Sequence, residues 1–204
     1  MAAGTLKAPQ VIVQLKGSYQ GKKTRDFSIV PADITETTVI TVSAFANGKD
    51  LRQKLKPKVI YQGKTLKENR DYTLQFSAKN TDGKTPYIDA ASWEITVTGI
   101  GNFAKRDAEG NLLSIKTCGV LVDKTAASVN LARVTATMLT DKATLVYNGQ
   151  EQKPEYKLSV DKGGVEVLKT TDYQVSYLNN VKAGKATAVF TPLTTACYGK
   201  KEVT

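Results

Sequence analysis

The feature that most limits how this chain can fold is a stretch that occurs twice. Asn47-Gly48 recurs as Asn148-Gly149 and Asp71-Tyr72 as Asp172-Tyr173, both steps of 101 residues. A Leu-Lys step precedes each Asp-Tyr (Leu66-Lys67 and Leu168-Lys169), and polar and apolar residues alternate after it. Two anchors holding one register over such a span mark a tandem repeat. A chain of 204 residues then reads as two ordinary units instead of one large one.

The segments between the anchors predict strands. Val11–Leu15, Asp26–Val30, Thr38–Val42, Pro57–Tyr61, Trp93–Val97 and Ile115–Val122 are rich in β-branched or aromatic residues, and glycine, asparagine or proline turns bound several of them. In the second copy the same holds for Ala143–Tyr147, Tyr156–Val160, Val165–Leu168 and Lys185–Thr191, and Val129–Leu139 is expected to be mostly strand. Period-two alternation places Tyr72, Leu74 and Phe76 on one face, as it does Tyr173, Val175 and Tyr177. Short strands without a convincing amphipathic helix predict an all-β chain of antiparallel sheets packed as sandwiches.

Residues Val11–Val30 resemble Ile95–Val122, so the chain opens on what looks like the tail of a further repeat. The expected divisions are 1–32 for these tail strands, 33–124 for the first module and 125–204 for the second, with Lys124-Thr125-Ala126 at the junction. Met1-Ala2-Ala3-Gly4 does not lead into a signal peptide, and no apolar run is long enough to span a bilayer. An excised length of a larger array is the expectation.

Composition removes several chemistries. There is no histidine, so Ser-His-Asp and Cys-His catalysis and His-ligated zinc are absent. Paired carboxylates in a glycosidase-like setting are also lacking. The net charge of +10 comes from lysines scattered singly along strands and turns, which reads as a solvated positive surface; no nucleic-acid motif accompanies it. Cys118 and Cys197 fall in different repeats with no C-x-x-C, and read as two buried free thiols.

The signature also resembles a known kind of sequence. Asn148-Gly149, Lys153-Pro154, Leu168-Lys169, Asp172-Tyr173, Ser176–Asn180, Ala183-Gly184 and Tyr198-Gly199 look like the tandem repeats of large surface proteins of Gram-positive gut bacteria. Phe27–Ile34 resembles their inter-repeat junction, while Lys79-Asn80-Thr81 and Phe103 depart from the pattern in the first copy. The resemblance implies immunoglobulin-like β modules at the bacterial cell surface, extracellular, serving as stalk or adhesin and carrying no catalytic residues or cofactor. The partners it implies are a host glycoprotein or immunoglobulin, or an anionic cell-wall polymer, with no nucleic acid and no membrane insertion. The alternatives are a host-protein binder for immunoglobulin or mucin, and an accessory module of a wall-active or carbohydrate-active enzyme.

Few residues present themselves as sites. Asp71 and Asp172 are metal-ligand candidates, against a local role bonding backbone amides at a strand entry; calcium needs several oxygen donors together, which favours the local role. Asp82 and Asp89 with Asn80 form a weaker candidate that Lys79 and Lys84 oppose. Tyr147, Tyr173, Tyr177 and Tyr198 suit either a stacking patch or the core. The loop residues Tyr87, Leu178 and Asn179 are the chosen binding candidates, since loops carry recognition on β scaffolds.

Overall fold

The computed structural model describes residues 9–77, 87–123, 128–142, 145–161 and 165–204. Every extended element in it is a strand or a single 3-10 turn, so the chain is all-β with several antiparallel sheets. The expected junction at 124–126, the loop 80–86 and the Gly163-Gly164 turn lie outside the described residues.

The chain opens on a hairpin, β1 (Gln10–Gln14) against β2 (Lys22–Asp26), in which all ten strand residues are exposed. The strand expected over Asp26–Val30 is therefore shifted. Pairing ends at Asp26, and Ile29 and Val30 are more than three-quarters exposed.

The next repeat begins at a capped turn, where Asp33 Oδ1 accepts from the Thr35 amide at 2.8 Å. One sheet follows with strand order β3 (Thr38–Ile40), β5 (Lys58–Tyr61), β6 (Lys64–Thr65). The other has the order β4 (Ser43–Phe45), β9 (Ser114–Val122), β8 (Ala91–Gly99), β7 (Tyr72–Phe76), antiparallel except for the parallel β4–β9 pair. Ile34, Val59, Tyr72, Val97 and Phe103 form one buried cluster, and Leu55, Tyr87, Trp93, Ile95 and Leu121 a second.

The second repeat runs in the same order. Asn130 caps the turn that buries Leu131, as Asp33 does for Ile34. β10 (Val129–Asn130) leads into it and pairs in parallel with β16 (Cys197–Tyr198). β11 (Thr135–Met138), β12 (Tyr156–Asp161) and β13 (Val165–Val167) make one sheet; β14 (Tyr173–Leu178), β15 (Thr187–Pro192) and β17 (Lys201–Val203) make the other. Leu131, Val134, Leu158, Tyr173, Phe190 and Cys197 are buried together. Val129–Leu139 is thus split by a 3-10 turn. Leu145–Tyr147 is not a strand, and Val146 and Tyr147 stand about two-thirds exposed.

The two halves meet along a seam that periodicity alone did not indicate. Ile40, Ile60 and Val189 are buried as one cluster with Leu178 against it. At roughly 1.5–3 kcal/mol for each fully buried aliphatic side chain, this contact outweighs the polar ones around it.

Candidate functional site

The seam is the place where the structure brings residues from distant parts of the sequence together. From the first repeat, β3, β4 and the step between them offer Thr38, Val39, Ile40, Thr41, Ser43 and Phe45; from the second come β14, β15 and the turn after Pro192. Ser92 Oγ donates to the Leu193 carbonyl at 2.6 Å, and the Gly199 amide donates to Ser43 Oγ at 2.9 Å. Gln174 Nε2 donates to Thr41 Oγ1 at 3.3 Å and Ser176 Oγ to the Val39 carbonyl at 3.4 Å. The Phe45 and Tyr198 rings lie 5.1 Å apart, tilted. Cys118 Sγ faces the Pro192 carbonyl at 3.7 Å.

Strand register shows how the seam is encoded. Tyr72 faces Gly99 across β7–β8, and Tyr173 faces Pro192 across β14–β15, so Val189 occupies the position of Thr96. Val39 faces Val59 towards the first core, and Ala136 faces Leu158 towards the second, so Ile40 and Ile60 occupy the positions of Thr137 and Ser159. At these three positions the residue is apolar where the repeats touch and hydroxylated in the copy whose face does not, while Thr38 and Ser176 add hydroxyls around the apolar cluster. β15 is buried on both faces as a result, which is why Ala188-Val189-Phe190 has no polar member.

Beside the seam lies a polar groove of about 290 Å3 between Thr35–Val39 on one side and two stretches of the second repeat on the other, one holding Glu151 and Lys153 and one running from Val175 to Asn180. Its hydroxyls are already engaged: Thr38 donates to Tyr177 O, Ser176 to Val39 O, and Tyr177 to Pro154 O. Lys153 pairs with Glu151 at 2.6 Å. The groove has the form of a joint between units more than that of a receptor for a ligand.

The expected binding residues are scattered. Tyr87 is only 2% exposed; its hydroxyl donates to the Ser77 carbonyl and its ring sits 4.5 Å from that of Trp93. Tyr87 is therefore a core residue, held at φ 64 at the end of its loop, and its side chain does not face solvent. Leu178 packs on the seam cluster. Asn179 is exposed at φ 57, while its neighbour Asn180 is buried, donating to Gln152 O and accepting from the Gln152 amide. The Asn-Asn pair thus turns the chain and ties it to the Lys153-Pro154 step. Nor do the four tyrosines form a patch: Tyr173 is buried, Tyr177 and Tyr198 are half-buried, and Tyr147 is exposed.

The acids have local partners. Asp71, 4% exposed, accepts from the Lys67 amide at 2.8 Å and from Arg70 Nη2 at 2.6 Å. The Arg70 guanidinium holds its carboxyl below the usual range. Asp172 Oδ1 accepts from Thr194 Oγ1 at 3.2 Å. Asp82 and its lysine neighbours lie outside the described residues; Asp89 is exposed. Among the described residues no three Asp, Glu or Cys side chains gather as a metal site. Both thiols are free. Burial pushes Cys118 up to about 11 and Cys197 to about 12, so neither is a ready thiolate nucleophile.

No family model, no curated protein and no solved structure matches this chain. Among the described residues, no helix is long and apolar enough to cross a membrane.

Proposed function

We propose that this chain is a non-enzymatic segment of a bacterial surface protein, two immunoglobulin-like β sandwiches locked into a pair that spaces or presents what it is joined to. The observation that carries this reading is the seam. A spacer must hold the angle between its units, and here that angle rests on Ile40, Ile60, Val189 and Leu178 together with hydrogen bonds that cross the contact at Ser92, Ser43 and Ser176. In each half a buried cluster takes side chains from two sheets, the arrangement expected of a sandwich. The residues that define the repeat serve turns and caps: Asn47 and Asn148 accept from the amides two residues on, at 3.1 and 2.9 Å, and Pro154 is held by Tyr177. The extracellular location follows from the surface-protein resemblance.

One observation favours a second reading, a binder of another protein: the β1–β2 hairpin exposes Val11, Ile12, Val13 and Leu15, each about half accessible. Pull-down of serum and mucus proteins with the whole chain separates the two. The spacer role predicts no saturable partner at micromolar concentration. A partner retained when Ile12 and Val13 are made polar would engage the paired units themselves and overturn it.

A further inference from the structure

Among the described residues, the β1–β2 hairpin is a sheet of two strands with no third strand paired to it. Such a pair is marginal in water and gains most from additional strands. Its two edges are unlike. β2 reads Lys22-Lys23-Thr24-Arg25-Asp26, the charged kind of edge that discourages pairing; β1 reads Gln10-Val11-Ile12-Val13-Gln14, with no charge, glycine or proline. The open edge is therefore β1, and its sequence is the same in both directions about Ile12.

Hydrogen-bond phase agrees with that symmetry. The Leu15 amide donates to Gly21 O and the Phe27 amide to Pro9 O, each at 3.0 Å. With Ile12 opposite Thr24, alternation in an antiparallel pair directs Val11 and Val13 to bond β2. The amides and carbonyls of Gln10, Ile12 and Gln14 then point to the free edge.

We infer that two copies of this chain pair antiparallel, β1 to β1, about a two-fold axis through Ile12. In that register Ile12 meets Ile12 of the second copy, Gln10 meets Gln14, and Val11 meets Val13. Every outward main-chain group of β1 finds its complement, and like side chains share a face. Charge allows it: the basic β2 strands end up at the outer edges, three strand spacings or about 14 Å apart, beyond the ~8 Å screening length at physiological salt. The contact falls short of the roughly 1,200 Å2 of a standard interface, so the dimer is weak and concentration-dependent. It is independent of whether the chain spaces or binds.

Sedimentation of the whole chain over a range up to about millimolar tests the pairing, since interfaces of this size hold in the micromolar range or weaker. A reversible monomer–dimer equilibrium is expected, weakened at least about tenfold by Ile12→Lys, which places a charge on the edge. Circular dichroism checks that the variant keeps its fold. Register is read by mixing Val11→Cys with mass-tagged Val13→Cys under mild oxidation. These positions face each other in a non-hydrogen-bonded pair, Cα atoms about 4.5 Å apart and within disulfide reach, whereas Val11 and its own copy do not. Mixed cross-links should exceed self cross-links. A chain that stays monomeric throughout, a dimer indifferent to Ile12→Lys, or cross-linking equal in mixed and single samples would each overturn the inference.

Discussion

Asp33 shows what a single side chain does at the head of a repeat. It caps its turn through Thr35 and binds Lys105 Nζ at 2.9 Å, and these hydrogen bonds lower its pKa from 3.8 to about 2. A depressed carboxylate stabilises the fold above its unfolded pKa, and that contribution is lost as pH falls from about 3.8 towards 2. Asp33→Asn keeps a side-chain acceptor of the kind Asn130 uses in the other repeat. The variant should melt slightly below the parent at pH 7, and the difference should vanish near pH 2, as read by thermal unfolding across pH. Tyr87 gives the second prediction at this scale. Its ring is buried against Trp93 and Phe76, so Tyr87→Ala should cost on the order of 3–5 kcal/mol in chemical denaturation. A solvent-facing recognition residue would cost almost nothing. Sequence placed Tyr87 in a loop correctly but could not show that the loop folds back over Trp93, because the residues that cover a loop lie elsewhere in the chain.

At the scale of elements, alternation was legible in β7 but only partly in β14, where Tyr173 is buried and Tyr177 half-buried while Val175 between them is 37% exposed. Tyr72, Leu74 and Phe76 turn to the core as expected, and Asp71 serves as a strand-entry acceptor. Legibility failed at Ala143–Tyr147, where a β-branched, aromatic composition met no partner strand at 145–147; propensity describes fit to a sheet that must already exist. It also failed at β2, where pairing follows the turn after β1 and not the more apolar run Phe27–Val30. Glycine shows how tightly elements close on one another. Gly101 holds φ 58, and a Cβ there would stand 2.6 Å from the Arg70 carbonyl, a backbone atom that cannot step aside. Gly101→Ala should therefore destabilise by roughly 2–3 kcal/mol. Gly149, also at positive φ but with nothing within 4 Å of its would-be Cβ, should lose less on the same change, in parallel denaturant titrations.

For the whole molecule, two dipeptides in one register pointed to halves with a similar order of elements, but not to the way those halves join. The signal was present in the differences between the copies: Ile40 and Ile60 against Thr137 and Ser159, and Val189 against Thr96. Aligning the copies emphasises what they share, while the seam depends on where they differ. Ile60→Thr, which gives the first repeat a hydroxyl like that at Ser159, should loosen the seam without opening either core. Expected outcomes are a loss of about 1–3 kcal/mol and faster hydrogen exchange at Gly199, whose amide is bonded across the seam to Ser43. The most direct measurement is backbone 15N relaxation on dilute chain, comparing residues 33–122 with 129–203. A pair locked at the seam tumbles as one body, with one rotational diffusion tensor fitting both sets, and Val189→Lys separates them. Two independent tensors in the unmodified chain, each with the faster correlation time of a lone unit, would contradict the account.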